Sequence, residues 1–192
     1  MPRQLEFDEN AALTGAMHAF RQHGYRNVSI KILEKQTGLA SGSIYNSYGG
    51  KQGIFDRAFG HYIETVVKKR IAAHLSHEVP GTGLLDLFLT LLEEPGSQSH
   101  GCLLTNCAIE LAGEDSIADK YVSEGFRLLE EGFVKSLSAV PGFPVDQITI
   151  TANRLLVFYQ GLLVLIRHGH DKAALKKTII AEIKSIVGEQ NA

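Results

Sequence analysis

Apolar residues recur three and four positions apart through most of the chain, which is the spacing of one face of an α-helix. Leu13, Met17 and Phe20 mark a first helix, and Asp8 stands where a side chain can cap its start. Near the other end two further stripes follow this spacing: Ile148, Ala152, Leu155, Tyr159, Leu162 and Ile166, then Leu175, Ile179, Ile183 and Ile186. We expect an all-α fold of about nine helices.

The segment 28–51, VSIKILEKQTGLASGSIYNSYGGK, predicts two short helices joined by a tight turn. Ser29 is suited to cap the first helix, and Gly38 follows it where a left-handed residue ends many helices. Ser41 is predicted to cap the second helix, and Ile44 and Tyr48 would pack it onto the first. Such a pair is a helix-turn-helix, whose second helix can enter the DNA major groove.

The outer face of the second helix is small or hydrogen-bonding and carries no acidic residue. Its members are Ser41, Gly42, Ser43, Tyr45, Asn46 and Ser47. Lys31, Lys35 and Lys51 supply positive charge on either side, as contacts with phosphate require. Taken alone, this pattern also fits a solvated helical hairpin with no partner.

Residues 6–64 resemble the DNA-binding domain of the TetR family of transcriptional regulators. The resemblance rests on AMHAFRQHGY, on TGLASGSIYNSY across the turn and on GGKQGIF after it. It implies a three-helix DNA-binding domain at residues 1–50, and a helical effector-binding and dimerisation domain at residues 51–192. It also implies double-stranded DNA as a partner. Two cysteines and no secretory-type start favour a cytoplasmic location.

Carried over position by position, the resemblance assigns two kinds of DNA contact. Lys31, Ser41 and Ser43 match positions that read bases or touch the nearby backbone. Phosphate-contacting positions are matched by Ser29, Tyr45 and Lys51, and variable positions at the DNA face by Asn46 and Ser47. Two positions depart from the family: Ala40 replaces a usual capping residue, and Glu34 replaces a small one. We expect Glu34 to point into solvent or to pair with Lys31 or Lys35.

Composition supports a two-part regulator. Residues 1–70 hold ten Lys and Arg against six Asp and Glu, whereas the remaining residues hold nine against fifteen. A basic first part and an acidic second part fit a DNA-binding domain joined to a domain that does not contact DNA. The apolar run LLVFYQGLLVLI contains Gln160 and is flanked by Arg154 and Arg167, so we expect no membrane span.

The segment GCLLTNCAIELAG resembles one that occurs in many C-terminal domains of the family. Asn106 and Glu110 within it are expected to bond to each other or to a small-molecule effector. We predict that an effector site lies among the middle helices, near Tyr62, Phe88, Cys102, Asn106, Phe126 and Tyr159. Residues about 145–190 are predicted to form the interface of a homodimer, which would bind a near-palindromic operator.

Cys102 and Cys107 raise an alternative, a regulator that senses oxidants or electrophiles through its thiols. No Lys or Arg lies within four residues to activate them, so buried structural cysteines are the favoured interpretation. The spacing of Cys and His fits no zinc pattern, and we expect neither metal nor cofactor. An enzyme is also disfavoured, because the sequence has no Ser-His-Asp order, phosphate loop or paired carboxylates.

Overall fold

The computed structural model describes residues 8–75, 80–93, 100–113 and 116–188, and within these it is all-helical. The helices are α1 Glu9–His23, α2 Ile30–Thr37, α3 Ser41–Tyr48, α4 Lys51–Tyr62, α5 Lys69–His74, α6 Pro80–Thr90, α7 Leu103–Glu110, α8 Ala118–Ser138, α9 Ile148–His168 and α10 Lys172–Val187. A π-helix, Ile63–Lys68, joins α4 to α5, and a 3₁₀ turn, Val145–Gln147, precedes α9. The predicted all-α class is confirmed.

The first four helices share one core. Asp8 caps α1 by accepting a hydrogen bond from the amide of Ala11 at 3.1 Å, as predicted. Phe55 of α4 packs against Phe20 of α1 and against Tyr25 just beyond it, with ring centroids 4.8 and 4.6 Å apart. Because α4 contributes to this core, it packs with α1–α3 into one N-terminal unit; the predicted domain boundary at residue 50 lies just before it.

The apolar spacing after Gly50 predicts a long helix from Lys51 to about His77, with the stripe Ile54, Phe55, Ala58, Tyr62, Val66 and Ile71. The structure has a helix that is continuous from Lys51 to His74, but its middle turn is a π-helix. A π turn adds a residue to the helical repeat and shifts the side chains that follow it. Val67 is accordingly buried, whereas Val66, the residue expected from an uninterrupted stripe, is only partly buried. The predicted end of this helix near His77 lies outside the described residues.

The later helices enclose a second core, in which α8 packs against α9, and α6 packs against α8 and α10. At its centre Phe88 of α6 stacks on Phe133 of α8 and Phe158 of α9, with ring centroids 6.0 and 5.3 Å apart. Contacts of α7 with α1 and of α8 with α4 join this core to the first. The two cores therefore meet along α7 and the N-terminal part of α8.

Helix α9 carries two apolar seams. The predicted stripe is turned into the chain's own core, where Ala152, Leu155 and Tyr159 are buried. The opposite face exposes Ile150, Val157 and Val164, which are 57%, 73% and 46% exposed and recur every seven residues. A chain that buries only one seam leaves the other available to a partner.

The helical stretch from Val145 to His168 is long and apolar enough to cross a membrane, with a mean hydropathy of 1.5. By length and composition alone, this segment therefore does not fall short of a membrane span, contrary to the expectation from its sequence. One face of this helix packs against α8, and 33% of the apolar window is buried within the chain.

Close packing of α1 on α2 gives a test of the fold. A β-carbon at Gly15 would lie 2.1 Å from the backbone oxygen of Gln36, whereas one at Gly42 would meet nothing within 4 Å. We expect Gly15→Ala to lower the free energy of unfolding by about 1–3 kcal/mol through overpacking. Gly42→Ala is the matched control and should raise it slightly, since alanine favours a helix. Urea unfolding followed by circular dichroism measures both, and equal effects would contradict this packing.

Candidate nucleic-acid interface and its junction with the C-terminal helices

The helix-turn-helix is held by local hydrogen bonds at its turn. Ser29 caps α2 by accepting from the amide of Ile32 at 3.3 Å, and Gly38 adopts the left-handed conformation, with φ 72°. Thr37 then accepts from the amide of Leu39 at 3.1 Å, within the turn. These contacts confirm the predicted helix start and end, and they fix the direction in which the chain leaves α2.

Helix α3 is capped by a side chain from α2. The predicted cap, Ser41, is instead the first residue of α3, and Ala40 at the capping position offers no side-chain acceptor. Glu34 supplies the missing cap, because the Oε1 atom of Glu34 accepts a hydrogen bond from the amide of Ser41 at 2.7 Å. Neither expected arrangement of Glu34, in solvent or paired with a lysine, is found. A carboxylate here also complements the positive end of the α3 dipole.

The predicted DNA-reading surface of α3 faces outward. Ile44 is fully buried against the core and anchors the helix. Tyr45 is 57% exposed, Asn46 and Ser47 are exposed, and Ser41 and Ser43 are half-buried at the edge of the same surface. We call the segment Ser41–Ser47 the recognition surface. Its outward placement leaves hydroxyl and amide groups available for hydrogen bonds to base edges or phosphates.

The basic residues around the recognition surface differ in their environments. Ser29 and Lys31 are exposed. Lys51 is half-buried, donates to the backbone oxygen of Arg26 at 3.1 Å and lies 4.6 Å from the ring centroid of Tyr25. Partial burial lowers the pKa of Lys51, and the nearby carboxylate of Glu110 acts in the opposite direction. An ammonium has three donors, so this backbone bond leaves Lys51 able to donate to a phosphate as well.

A polar junction connects the end of α1 to α7. Glu110 accepts hydrogen bonds from the amides of Tyr25 at 2.8 Å and Arg26 at 2.7 Å. Arg21 donates from Nε and Nη2 to the backbone oxygen of Gly101 at 3.0 and 2.7 Å. We call these contacts, together with those of Asn106, the α1–α7 junction. They span about 80 residues of sequence, which is why no local pattern pointed to them.

Asn106 completes the α1–α7 junction. Its Nδ2 donates to the backbone oxygens of Arg21 at 3.1 Å and His100 at 3.0 Å, and its Oδ1 accepts from Arg167. The expected bond between Asn106 and Glu110 is absent from this part of the structure, since each side chain is directed to a different partner. Gly24 permits the approach, because a β-carbon there would lie 2.7 Å from Glu110 Oε2.

The six predicted effector residues fall into separate groups. Tyr62 and Cys102 are buried together, with the hydroxyl 3.1 Å from the sulfur. Phe88 and Tyr159 are in edge contact, with ring centroids 5.7 Å apart. Phe126 is half-buried against the core, and Asn106 lies at the α1–α7 junction. Burial, followed by the neighbouring Cys102, raises the pKa of Tyr62, so its hydroxyl stays protonated at neutral pH.

Both cysteines are buried as free thiols. Burial raises the pKa of Cys107 to about 12, with smaller contributions from Glu110 and Cys102. Because the thiolate is the reactive form, a thiol with this pKa is nearly all protonated at neutral pH and reacts slowly. The environment of Cys107 is that of a structural cysteine.

Comparison with known proteins identifies the family. A family profile described as "Bacterial regulatory proteins, tetR family" matches residues 12–58. The uncharacterised HTH-type transcriptional regulator YezE of Bacillus subtilis (strain 168) is 30% identical over an alignment of 143 residues, and the match covers 71% of this chain and 72% of YezE. The chain belongs to the TetR family of transcriptional regulators. It is a DNA-binding regulator with the helix-turn-helix fold of that family.

Two further TetR-family comparisons extend over nearly the whole chain. The HTH-type transcriptional repressor ComR of Escherichia coli (strain K12) is 28% identical over an alignment of 182 residues, and the match covers 91% of this chain and 85% of ComR. A cysteine mutant of the regulator CifR, solved with 26-base-pair operator DNA, superposes with a TM-score of 0.80 at 21% identity. That match covers 95% of this chain and 99% of CifR, which confirms that the fold is shared along its length.

The cap supplied by Glu34 gives a test of how the recognition helix is held. We expect Glu34→Ala to lower the free energy of unfolding by about 0.5–2 kcal/mol, because the Ser41 amide loses its acceptor. Ala40→Ser places a capping hydroxyl where the TetR family usually has one, so it should recover most of that loss in the double variant. Lys35→Ala, on the same helix, is the control. Urea unfolding that shows no recovery by Ala40→Ser would contradict the capping role.

Proposed function

We propose that this TetR-family regulator is a homodimeric repressor that leaves a near-palindromic operator when a small-molecule effector binds to its C-terminal helices. The observation that carries the proposal is the outward-facing recognition surface on a helix anchored by Ile44 and capped by Glu34. A reading helix must be rigid, since displacement by a fraction of an ångström breaks hydrogen bonds to base edges. The protein acts in the cytoplasm, where its operator is.

The DNA contacts divide by chemistry. Lys31 and Lys51 carry the positive charge that phosphates attract, and their contribution is largely independent of base sequence. Ser29 and Tyr45 offer hydroxyl groups to phosphates. Base-specific contacts come from the Ser41–Ser47 segment, in which Ser43 and Asn46 have side chains that can donate and accept.

The exposed seam of α9 supports a dimer. Ile150, Val157 and Val164 form an apolar line that water would otherwise cover, and a β-carbon at Gly161 on this face would meet nothing within 4 Å. A glycine on an open helical face lets a second helix approach closely. We infer that α9 and α10 of two copies pack together, which sets the spacing of two recognition helices at about one DNA turn, ~34–36 Å, or somewhat more.

Helix α7 is the proposed route from the effector to DNA. Cys102, at the start of α7, contacts Tyr62, while Glu110, at its end, holds the backbone of Tyr25 and Arg26. A molecule bound beside Tyr62 would therefore displace the helix that fixes the end of α1. An effector that prefers the displaced arrangement weakens operator binding by the coupling free energy, typically ~1–3 kcal/mol.

The thiol-sensor alternative receives no support from the described residues. Cys107 is buried and its pKa is raised to about 12, whereas redox-sensing thiols need exposure and a low pKa. Cys102 is buried against the Tyr62 hydroxyl. We therefore retain the effector-responsive repressor as the proposed function.

The phosphate assignments can be tested with a fluorescent duplex that the wild-type protein has selected from a randomised library. We expect Lys31→Ala and Lys51→Ala each to weaken binding and to reduce the slope of log affinity against log salt by about 1. Tyr45→Phe should weaken binding about two- to tenfold through one lost hydrogen bond. Fluorescence anisotropy across a salt series measures all three.

The matched control for these variants is Lys135→Ala, which removes the same charge from an exposed position on α8. It should leave affinity and salt slope unchanged. If Lys31→Ala and Lys51→Ala behaved like this control, the proposed placement of DNA along α3 would be wrong.

The dimer interface gives a second test of the proposed function. Val157→Glu places a charge at the centre of the exposed α9 seam, and we expect it to convert the dimer to a monomer, because an unpaired carboxylate would be desolvated there. Val145→Glu is the matched control, because Val145 is even more exposed than Val157 but lies off the seam. The Val145→Glu variant should remain dimeric. Sedimentation equilibrium distinguishes the two. A wild-type monomer, or a dimer that tolerates Val157→Glu, would refute the interface.

A further inference from the structure

The helix that connects the two cores changes its hydrogen-bonding pattern in the middle, where Ile63–Lys68 forms a π-helix. A π turn contains one residue more than an α turn, and such turns are frequent at functional sites. On one side of it, α4 packs against α1, and on the other side α5 packs against α6. The π turn therefore sets which side chains α5 presents to the second core when α4 is fixed.

The sequence of this helix contains three pairs of identical neighbours. If the π turn became an α turn, each later residue would take the position of the residue after it, through a rotation of about 100° and an advance of ~1.5 Å. At three places an identical residue would arrive, first at a buried position and then at two exposed ones: Val66 for Val67, Lys68 for Lys69 and Ala72 for Ala73. The chain can thus adopt either alignment at these places with little change in its contacts.

Two other positions distinguish the alignments. A β-carbon at Gly132 of α8 would lie 2.7 Å from Leu75 Cδ1 and 3.3 Å from Ile71 Cγ2, so these apolar side chains fit closely against the glycine. After the shift, Arg70 and His74 would take the positions of Ile71 and Leu75. Polar side chains are disfavoured at such a contact, which makes the alignment with the π turn the more stable one.

The start of the π turn contacts both units of the protein. The His61 ring lies beside the Thr14 hydroxyl of α1, with Nε2 and Oγ1 3.0 Å apart. Tyr62, the last residue before the π turn, has its hydroxyl 3.1 Å from the sulfur of Cys102 at the start of α7. A change in the π turn therefore reaches the DNA-binding unit and the region proposed for the effector.

We propose that Ile63–Lys68 is a two-register switch, in which a π turn and an α turn set two alignments of α5 that differ by one residue. The π register is the major state, and the α register is a minor state in exchange with it. The regulatory use of the switch rests on the proposed function. An effector that contacts Tyr62 and prefers one register changes the alignment of the two units, and hence the affinity for the operator.

NMR relaxation dispersion on the full chain without DNA tests the switch, because it detects exchange on the μs–ms timescale of helix register shifts. We expect dispersion at the amides of residues 63–75 in the wild type. Deletion of Val66 removes the extra residue and leaves an uninterrupted α-helix with both ends in their present alignment. The deletion should therefore abolish the dispersion.

Two point variants should move the balance in opposite directions. His74→Leu supplies a leucine for the buried position of Leu75 in both registers, so it should raise the population of the α register about tenfold. Val66→Asp would bury a carboxylate in the α register alone, and it should lower that population about tenfold. His168→Leu, at an exposed position on the last turn of α9, is the matched control and should leave the dispersion unchanged.

The duplex selected by the wild type should suppress the dispersion when it binds, because a bound operator holds one register. Thermal unfolding checks that each variant is folded, and if the deletion variant is not, the two point variants decide. The proposal is overturned if the wild type shows no dispersion at residues 63–75, if all variants show the same dispersion, or if a bound duplex leaves it unchanged. A duplex that does not bind would contradict the proposed repressor, whereas the measurements without DNA would still decide whether two registers exist.

Discussion

The structure depends on the carboxylate of Glu110, which is held against the backbone amides of Tyr25 and Arg26. These amides follow α1, where the chain turns toward the helix-turn-helix. Hydrogen bonds to an ionised acceptor are about twice as strong as neutral ones, and here two converge on one side chain. Glu110 thereby fixes the DNA-binding unit to the C-terminal helices at the point where the two cores meet.

The surroundings of that contact show how a change in one unit reaches the other. Lys51, a proposed phosphate contact, bonds to the backbone of Arg26 and lies over the ring of Tyr25. Displacement of α7 would thus disturb Lys51 as well as the end of α1. The α1–α7 junction is one of two polar connections between the units, since Asp56 of α4 also pairs with Lys120 and accepts a hydrogen bond from Tyr121, both on α8.

Sequence reasoning succeeded where the cause is local. Asp8 and Ser29 act as the helix caps that their positions predicted, since each reaches an amide only three residues away. It failed for Glu34, whose acceptor role depends on the turn bringing Ser41 back to α2. The α1–α7 junction was missed for the same reason on a larger scale. The segments AMHAFRQHGY and GCLLTNCAIELAG each resemble the family, but the sequence of neither segment predicts that the two are in contact.

The apolar pattern also predicted more about helices than about their partners. The stripe on α9 was visible from spacing, yet spacing does not say which of two seams faces the chain's own core. The structure answers this by burying Leu155 and Tyr159 and exposing Val157. Likewise Val67 is buried and Val66 only partly buried, because the π turn shifts the register of the helix. The helix propensities of these residues do not predict a π turn.

The most direct test of this account is amide hydrogen exchange, measured by NMR, in Glu110→Ala and the wild type. Loss of a charge-assisted acceptor worth about 1.5–3 kcal/mol should speed exchange at Tyr25 and Arg26 at least tenfold. The amides of Gly38 and Gly49, which bond to carbonyls within their own helices, should be unaffected. Unchanged protection at Tyr25 and Arg26 would show that Glu110 does not hold the two units together.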